Sequence, residues 1–339
     1  MKDLLVVGGG PIGLATAIHA RMAGLDVVII EPRENTIDKA CGEGLMPEAI
    51  NLLNEMGVYP TGIDFFGIKY ISGKRSIDAR FSRGRGVGVR RTELYDALHQ
   101  RAVQLGVQWH KAKVTDLNQH SDWIEAAGIK GRYLIAADGL HSSVRSILGL
   151  HVENTKLRRY GARQHFYHEP WSDLVDVHWL DGAELYVTPV SKEIVGIAVL
   201  GVRPLDFKAA IASVPEIAMR LKDAKAASEL KGAGPLRQNT SARTKGRAIL
   251  VGDASGYVDA LTGEGLRIGL AQARAAVNAV VKHDPKSYEK EWLKITRSYR
   301  VLTGSLTWAA AHPPIRKLIV PAAQTLPWVF KKVVNSLQS

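Results

Sequence analysis

The stretch Leu4-Leu5-Val6-Val7-Gly8-Gly9-Gly10-Pro11-Ile12-Gly13 decides the fold class of this 339-residue chain. Its four consecutive apolar residues are typical of a strand that is buried in a parallel sheet. Glycines end this strand, and apolar residues then recur at helical spacing over residues 12–22, up to Gly24. A second apolar run, Val27–Ile30, completes a β-α-β unit of about 30 residues.

The loop between the first strand and its helix has the glycine spacing of a dinucleotide-binding motif. Glycine permits a tight turn and a close approach to a pyrophosphate, and the helix N-terminus offers free N–H groups and a positive dipole. Glu31 follows the second strand, where a carboxylate can accept hydrogen bonds from ribose hydroxyls. An acid there repels a 2′-phosphate, so the pattern predicts FAD or NAD. The predicted cofactor-binding residues of this unit are Gly8, Gly10, Pro11, Ile12, Gly13 and Glu31.

Patterns further along the chain predict that this first domain is interrupted by a second one. Apolar and polar residues alternate over residues 65–81 on either side of a glycine, which predicts an antiparallel hairpin. Residues 160–202 contain several short segments with the same alternation. Buried-strand patterns return at residues 133–137 and 248–251, and Gly265–Val281 predicts a long helix. We therefore expect an α/β fold, with an interrupted Rossmann-type domain, an antiparallel-sheet substrate domain and a helical C-terminal tail. The expected boundaries are 1–60, 85–158 and 236–285 for the cofactor domain, 61–84 and 159–235 for the substrate domain, and 286–339 for the tail.

Two later stretches resemble the motifs of a known group of flavoproteins. Ala137-Asp138-Gly139-Leu140-His141-Ser142-Ser143-Val144-Arg145 and Gly252-Asp253-Ala254-Ser255-Gly256 resemble the Asp-Gly and Gly-Asp motifs of the group containing p-hydroxybenzoate hydroxylase and the geranylgeranyl reductases. The resemblance spans residues 1–285 and implies a glutathione reductase-like domain that binds FAD. It implies that Asp253 holds the ribityl chain of FAD, and that Asp138 belongs to a motif linked to both FAD and the nicotinamide cofactor.

The same resemblance implies which residues approach the flavin ring. The turn Leu261-Thr262-Gly263-Glu264-Gly265 would place backbone N–H groups and a helix N-terminus, at Gly263 and Gly265, near the flavin's pyrimidine edge. Arg91 matches an arginine that contacts the cofactor at the start of a helix, and its alternative is a solvated surface arginine. The sequence has no second strand, glycine turn and helix for a nicotinamide, so NAD(P)H is expected to act as a transient electron donor.

The stretch Lys39-Ala40-Cys41-Gly42-Glu43-Gly44-Leu45-Met46-Pro47 resembles the Cys-Gly-Gly segment of the geranylgeranyl reductase branch, in which the cysteine lies close to the flavin. Cys41 is the candidate catalytic residue, as a substrate-side thiol, a proton donor or a redox sensor, and the alternative is a chemically idle small residue. Glu43 departs from the usual glycine. The branch often carries Tyr-x-Trp-x-Phe-Pro at its isoprenoid pocket, and here residues 184–189 keep only the proline and one aromatic residue.

The positive charge of the chain is concentrated near its C-terminus. The formal net charge is +12, and residues 282–339 contain ten Lys or Arg against three Asp or Glu. Apolar residues alternate with these charges, which favours two interpretations equally: an interfacial contact with an anionic membrane, or helices packed over the substrate domain. The positive charge is the only feature that would support nucleic-acid binding, and it is not sufficient alone, so no nucleic-acid partner is expected. No apolar stretch is long enough to span a membrane.

The cysteine and histidine residues bear on two questions, the cellular compartment of the protein and its ability to bind a metal. A single cysteine cannot form an internal disulfide, so a cytoplasmic protein is the expectation, with peripheral membrane association as the alternative. No metal site is expected, because the histidines at positions 165, 168 and 178 are not accompanied by cysteines and fall in the alternating region.

These observations predict an FAD-dependent oxidoreductase that acts on a small apolar substrate. The favoured reaction is hydride transfer from reduced flavin to a carbon–carbon double bond of an isoprenoid or lipid-like molecule. One alternative is a monooxygenase that hydroxylates an aromatic or lipid substrate on the same scaffold, and another is a flavin-binding redox sensor without turnover. The Cys41 segment favours reduction.

Overall fold

A computed structural model describes residues 1–34, 36–154 and 158–336 of the protein. The first half of the chain contains β1 (Lys2–Val7), α1 (Pro11–Met22), β2 (Val27–Ile30), β3 (Gly44–Leu45), α2 (Pro47–Glu55), β4 (Ile63–Phe65), β5 (Gly67–Ser72), β6 (Arg75–Arg80), β7 (Gly86–Gly88), α3 (Arg91–Gln104), β8 (Gln108–His110), β9 (Leu117–Gln119), β10 (Ile124–Ala126), β11 (Ile129–Ala136) and α4 (Ser143–Ile147). The second half contains β12 (His151–Val152), β13 (Arg159–Tyr167), β14 (Val175–Trp179), β15 (Ala183–Pro189), β16 (Ile194–Val202), α5 (Phe207–Ala212), α6 (Pro215–Arg220), β17 (Lys231–Ala233), β18 (Asn239–Thr240), β19 (Thr244–Lys245), β20 (Ala248–Leu250), a 3₁₀ turn (Gly252–Ser255), α7 (Gly265–Val281), α8 (Ser287–Ala311), α9 (Pro313–Arg316), α10 (Ile319–Thr325) and α11 (Pro327–Ser336).

The central sheet has the strand order β19-β20-β11-β1-β2-β8, with β10 and β9 attached beyond β11. Strands β20, β11, β1, β2 and β8 run parallel, and β1 pairs with both β2 and β11. The apolar residues of β1 alternate between two cores, because Leu4 and Val6 face the helices α1, α3 and α7, whereas Leu5 and Val7 face the layer that contains β10 and α4. Both faces of the sheet are therefore covered, as the continuous apolar runs predict.

The second sheet has the strand order β17-β13-β16-β15-β14-β5-β6, in which only the β14–β5 pair is parallel among the described residues. The hairpin β5–β6 and the antiparallel strands of residues 159–202 confirm the two sequence patterns that predicted them. Strands β3, β7 and β4 form a separate small sheet in which β7 pairs with both neighbours. Its first strand, β3, lies within the segment that contains Cys41.

The two faces of the second sheet have different partners. Leu185, Val187 and Ile197 point to a core that is closed by α5 and α6. We call the other side the inner face. One row of paired residues crosses it from polar Arg163 through Ala198, Tyr186 and Val177 to Tyr70. Its β13 end is thus charged and its β5 end apolar.

The C-terminal tail packs on the apolar half of the inner face. Val320 on α10 and Phe330 and Val334 on α11 are buried in one cluster with Tyr70 and Val177. Helix α8 connects them to the central domain, because Trp292 is buried near its start and packs with α7. Within the described residues, no helix combines the length and the apolar composition that crossing a bilayer requires.

Candidate active site

The glycine loop between β1 and α1 packs tightly against the protein at its two ends and leaves free space in its middle. A Cβ on Gly8, which has φ +102°, would lie 2.6 Å from the carbonyl oxygen of Ala137, and a Cβ on Gly13 would lie 1.8 Å from that of Gly8. Gly10 has φ −71°, and a Cβ there would meet no atom of the described residues within 4 Å. Close packing therefore leaves no room for a side chain at Gly8 or Gly13, whereas the space at Gly10 is available to a ligand.

Glu31 at the end of β2 is bound to this loop as an ionised carboxylate. Its Oε2 accepts the backbone N–H of Gly9 at 2.7 Å, and its Oε1 accepts Nε of Arg33 at 2.7 Å. Burial on its own would raise the pKa of Glu31, but the hydrogen bonds from Arg33 and Gly9 outweigh burial and lower the pKa below its usual value. An acceptor whose ionised form is favoured thus lies beside the glycine loop, where the sequence predicted a ribose-binding carboxylate.

The two other cofactor motifs converge on the same loop. Gly8 packs against the backbone of Ala137 and Asp138, and Gly252 packs against the side chain of Ile12, whose neighbour Pro11 is the first residue of α1. Asp138 Oδ2 accepts the N–H of Val144 at 3.1 Å and so holds the start of α4. The motifs from residues 8, 138 and 253 consequently border one site.

Arg145, a buried residue that the prediction did not assign a role, connects two of these motifs. Its guanidinium donates to the carbonyl oxygens of Leu140 (3.0 Å) and Ala254 (3.1 Å) and to Oε1 of Gln238 (2.8 Å). The arginine is only 2% exposed, and these acceptors bind its two terminal amino groups, whereas its Nε has no hydrogen-bond partner among the described residues. The signal was available in the sequence, because Arg145 ends the quoted Asp-Gly motif.

Charged side chains surround Asp253 in the 3₁₀ turn after β20. Burial raises the pKa of Asp253, and the positive charges of Arg91, Lys39 and Arg145 act in the opposite direction. Burial also lowers the pKa of Lys39, and the nearby cation Arg91 adds to this effect. These groups lie close enough to Asp253 to interact with it electrostatically, so two residues that were predicted separately, Arg91 and Asp253, border one site.

Polar atoms in this region match the needs of FAD. Among the described residues, Nε of Arg91 and Oδ1 of Asp138 are buried without a hydrogen-bond partner. Unpaired buried polar atoms are costly, and a ligand with phosphates and hydroxyls would satisfy them. Together with the open space at Gly10, these atoms show that the site fits a dinucleotide that has a charged and hydroxylated linker.

The turn before α7 approaches the Cys41 segment. Gly263 has φ +70°, and a Cβ there would lie 3.4 Å from the Cε of Met46. Gly265 begins α7, so the free N–H groups of this helix start at the turn, as the resemblance implied. The hydroxyl groups of Thr262 and Thr303 are 2.8 Å apart, which fixes the turn to α8.

Cys41 is half-buried between the cofactor motifs and the second sheet. Its Sγ accepts the N–H of Glu43 at 3.4 Å. Burial raises the pKa of the Cys41 thiol, while the positive charge of Arg91 opposes this increase. The thiol therefore retains its proton at neutral pH rather than acting as an activated thiolate.

Glu43 links the Cys41 segment to the inner face of the second sheet. Its Oε1 accepts the backbone N–H of Arg91 at 2.7 Å, and its Oε2 lies 2.5 Å from Nε2 of His165. The other ring nitrogen of His165 is 2.8 Å from the hydroxyl of Ser228. Glu43 also has φ +59°, a left-handed conformation that favours glycine. This backbone conformation explains why glycine is usual at this position, and the buried hydrogen bonds stabilise the exception.

Further polar contacts join the Cys41 segment and the turn before α7 to the inner face of the second sheet. The hydroxyl of Thr188 donates to the carbonyl oxygen of Gly42 at 3.0 Å, and the hydroxyl of Tyr186 donates to that of Leu261 at 3.0 Å. Arg163 forms a short ion pair with Asp38. No local sequence pattern predicts these contacts, since they join segments that are far apart in the chain.

The three histidines considered as metal ligands lie in different environments. His165 is on the inner face, and His168 Nδ1 lies 2.6 Å from the carbonyl oxygen of Glu169. His178 pairs with Leu185 on the opposite face, where burial lowers its pKa to about 4. Within the described part of the chain, no group of three metal-ligating side chains is found.

Comparison with known proteins gives a consistent result. A family model described as an FAD binding domain matches residues 1–283. The chain is 27% identical to menaquinone reductase of Mycolicibacterium smegmatis, over 86% of this chain and 79% of that protein. It is 26% identical to digeranylgeranylglycerophospholipid reductase of Methanosarcina acetivorans, over 87% and 81% of the two chains. The structure of p-nitrophenol 4-monooxygenase from Pseudomonas putida superimposes with a TM-score of 0.79 at 18% identity, covering 100% of this chain and 98% of that one.

Proposed function

This chain belongs to the FAD binding domain family and is an FAD-dependent oxidoreductase, and from that premise we propose that it reduces a carbon–carbon double bond of an apolar, isoprenoid or lipid-like substrate. The observation that best supports the proposal is the position of the Cys41 segment. It lies between the three cofactor motifs and the inner face of the second sheet, where the hydroxyl of Thr188 donates to the carbonyl oxygen of Gly42. Two relatives that match most of the chain are also reductases by name.

The reaction replaces one π bond by two C–H bonds, so it needs a hydride for one carbon and a proton for the other. Bound FAD supplies the hydride in its reduced form. The Cys41 thiol, whose raised pKa keeps it protonated, is the proposed source of the proton on the substrate side. The proton is then replaced from solvent, and NAD(P)H is the proposed transient donor of electrons.

The surrounding residues position these groups. Glu43 fixes the Cys41 segment to Arg91 on one side and to His165 on the other. The start of α7 at Gly265 directs N–H groups and the positive end of the helix dipole towards the site, where they would stabilise negative charge.

Anaerobic turnover tests this proposal. The FAD-loaded protein is reduced with NADH, NADPH or dithionite in the absence of O₂ and is mixed with a panel of geranylgeranyl lipids, polyprenyl quinones and short alkenes. We expect reoxidation of the flavin and a product that is heavier by two hydrogen atoms in mass spectrometry. A product that forms only with O₂ would instead identify a monooxygenase, and flavin reduction without any product would favour a redox sensor.

Two variants of one residue test the proposed proton source. Cys41→Ser keeps a hydroxyl proton and is expected to keep part of the activity, whereas Cys41→Ala is expected to lose most of it. Both variants should retain FAD. Equal turnover of the two variants and the unchanged protein would remove Cys41 from the mechanism.

A further inference from the structure

The side of the C-terminal tail that faces the second sheet, here called its underside, is part of the folded core. Val320, Phe330 and Val334 are buried against the second sheet, and Arg316 forms an ion pair with the buried Glu184 at 2.8 Å. Helices α10 and α11 both contact strand β6 through this underside. The tail is thus a packed layer of the protein, and its opposite surface points away from the sheet.

That opposite surface carries apolar side chains in solvent. Leu318 is 59% exposed, Leu326 is 46% exposed and Trp328 is 66% exposed. Leu318 and Leu326 flank α10 as the residues immediately before and after it. Lys331 and Lys332 follow Trp328 at the spacing of one helical turn in α11. Because α10 and α11 pack on the same strand, these outer sides form one surface. We call it the outer tail face: Lys317, Leu318, Leu326, Trp328, Lys331 and Lys332.

The charge of this surface has one sign. Residues 292–339 contain seven Lys or Arg and no Asp or Glu. Within the described ranges, no carboxylate lies at ion-pair distance from Lys317, Lys331 or Lys332. The outer tail face therefore combines exposed apolar side chains with uncompensated positive charge, which is the composition of a surface that binds at a lipid interface.

We propose that the outer tail face docks on an anionic lipid bilayer, with Trp328, Leu318 and Leu326 in the headgroup region and the three lysines on lipid phosphates or carboxylates. Tryptophan is suited to this boundary because its ring is apolar and its N–H is polar. The charge complementarity favours an anionic membrane over a second copy of this basic chain, whose identical surface would repel it. The docking is independent of the proposed reaction, since it depends only on exposed tail residues.

Vesicle sedimentation of the full-length, FAD-loaded protein tests the proposal. The probes are vesicles of phosphatidylcholine alone and vesicles of phosphatidylcholine with phosphatidylglycerol. We expect binding only to the anionic vesicles and weaker binding at higher salt concentration. Each basic residue near a charged surface strengthens binding about fivefold, so Lys331→Gln combined with Lys332→Gln should weaken partitioning about thirtyfold. Trp328→Ala should weaken it about tenfold.

Matched controls come from other parts of the second sheet. Lys208 and Lys222 are exposed near α5 and α6, which cover the opposite face, so Lys208→Gln with Lys222→Gln removes the same charge elsewhere. Tyr167 is 55% exposed on β13, five strands from β6, and Tyr167→Ala removes a distant aromatic side chain. Both controls should bind vesicles like the unchanged protein.

The outcomes are separable from the enzymatic activity. Flavin content and circular dichroism verify that each variant is folded. Equal binding to neutral vesicles, equal losses in the control variants, or a concentration-dependent dimer that the Trp328→Ala substitution abolishes would each overturn the proposal. Deleting the tail is a poorer experiment, because it would expose the core around Tyr70 and Val177.

Discussion

Replacing Gly10 by alanine separates ligand binding from folding. The Cβ of an alanine at this position would meet no protein atom within 4 Å, and φ −71° suits any residue. The same change at Gly13 would bring a Cβ to 1.8 Å from the carbonyl oxygen of Gly8. Gly10→Ala should thus leave the apoprotein intact, whereas Gly13→Ala should damage it.

The expected changes in stability and in FAD affinity follow from what the new methyl group does in the apoprotein and in the FAD complex. In the apoprotein, alanine is a poorer helix N-cap than glycine by several tenths of a kcal/mol, but it lowers the entropy of the unfolded chain by a similar amount. The stability change at Gly10 should therefore stay within about 0.5 kcal/mol. In the complex, the new methyl group keeps the pyrophosphate from the loop. Losing one hydrogen bond to a charged group costs about 1.5–3 kcal/mol, which raises the Kd for FAD about 10- to 150-fold.

The assay pairs thermal unfolding of the apoprotein with titration of FAD by fluorescence quenching. Gly304→Ala is the matched control, because its Cβ would also meet no atom within 4 Å and it lies in α8. That control should raise the Tm and leave FAD affinity unchanged. If Gly10→Ala keeps the original Kd, or if its apoprotein loses as much stability as Gly13→Ala, the assignment of the pyrophosphate to this loop is wrong.

Three further predictions concern the rest of the site. Asp253→Asn should raise the Kd for FAD at least tenfold by removing a charged acceptor, while Asp173→Asn, on the exposed surface, should not; equal affinities would contradict the ribityl role. Because burial raises the pKa of Cys41, alkylation by iodoacetamide should increase only above the pH range of free cysteine, and a pH–rate profile at or below that range would refute this burial effect. Glu43→Gln should lower the free energy of unfolding by about 1.5–3 kcal/mol in urea, because His165 loses a charged partner; a change below about 0.5 kcal/mol would show that the contact is not stabilising.

The β1–α1–β2 unit could be predicted from the sequence because its signals are local. Apolar runs, glycine spacing and the acid after β2 all lie within 31 residues, and each has a direct physical reason. The same holds for the β5–β6 hairpin and for α7. The domain boundaries and the assigned site residues stay predictions, although the structure places the three motifs around one site.

Contacts between distant segments could not be read from spacing. Glu43 and His165 are 122 residues apart, and Arg316 and Glu184 are 132 apart, so no periodicity connects them. The one available signal was Glu43 itself, which replaces glycine. A residue with a side chain at a left-handed position indicates that the side chain makes contacts strong enough to stabilise the backbone there.

The order of strands in the central sheet has a consequence for synthesis on the ribosome. Strand β1 is made first, but its sheet is completed only by β20 and is covered by α7, after the whole second sheet has been translated. Long-range pairing of this kind forms late, because the closing loop must be ordered first. A nascent chain that ends before residue 252 lacks Asp253 and the turn at Gly263, and therefore lacks part of the predicted binding site. On this prediction, FAD binding waits until the residues after 252 have been translated, and the flavin content of a preparation reports how many chains contain this segment in its assembled form.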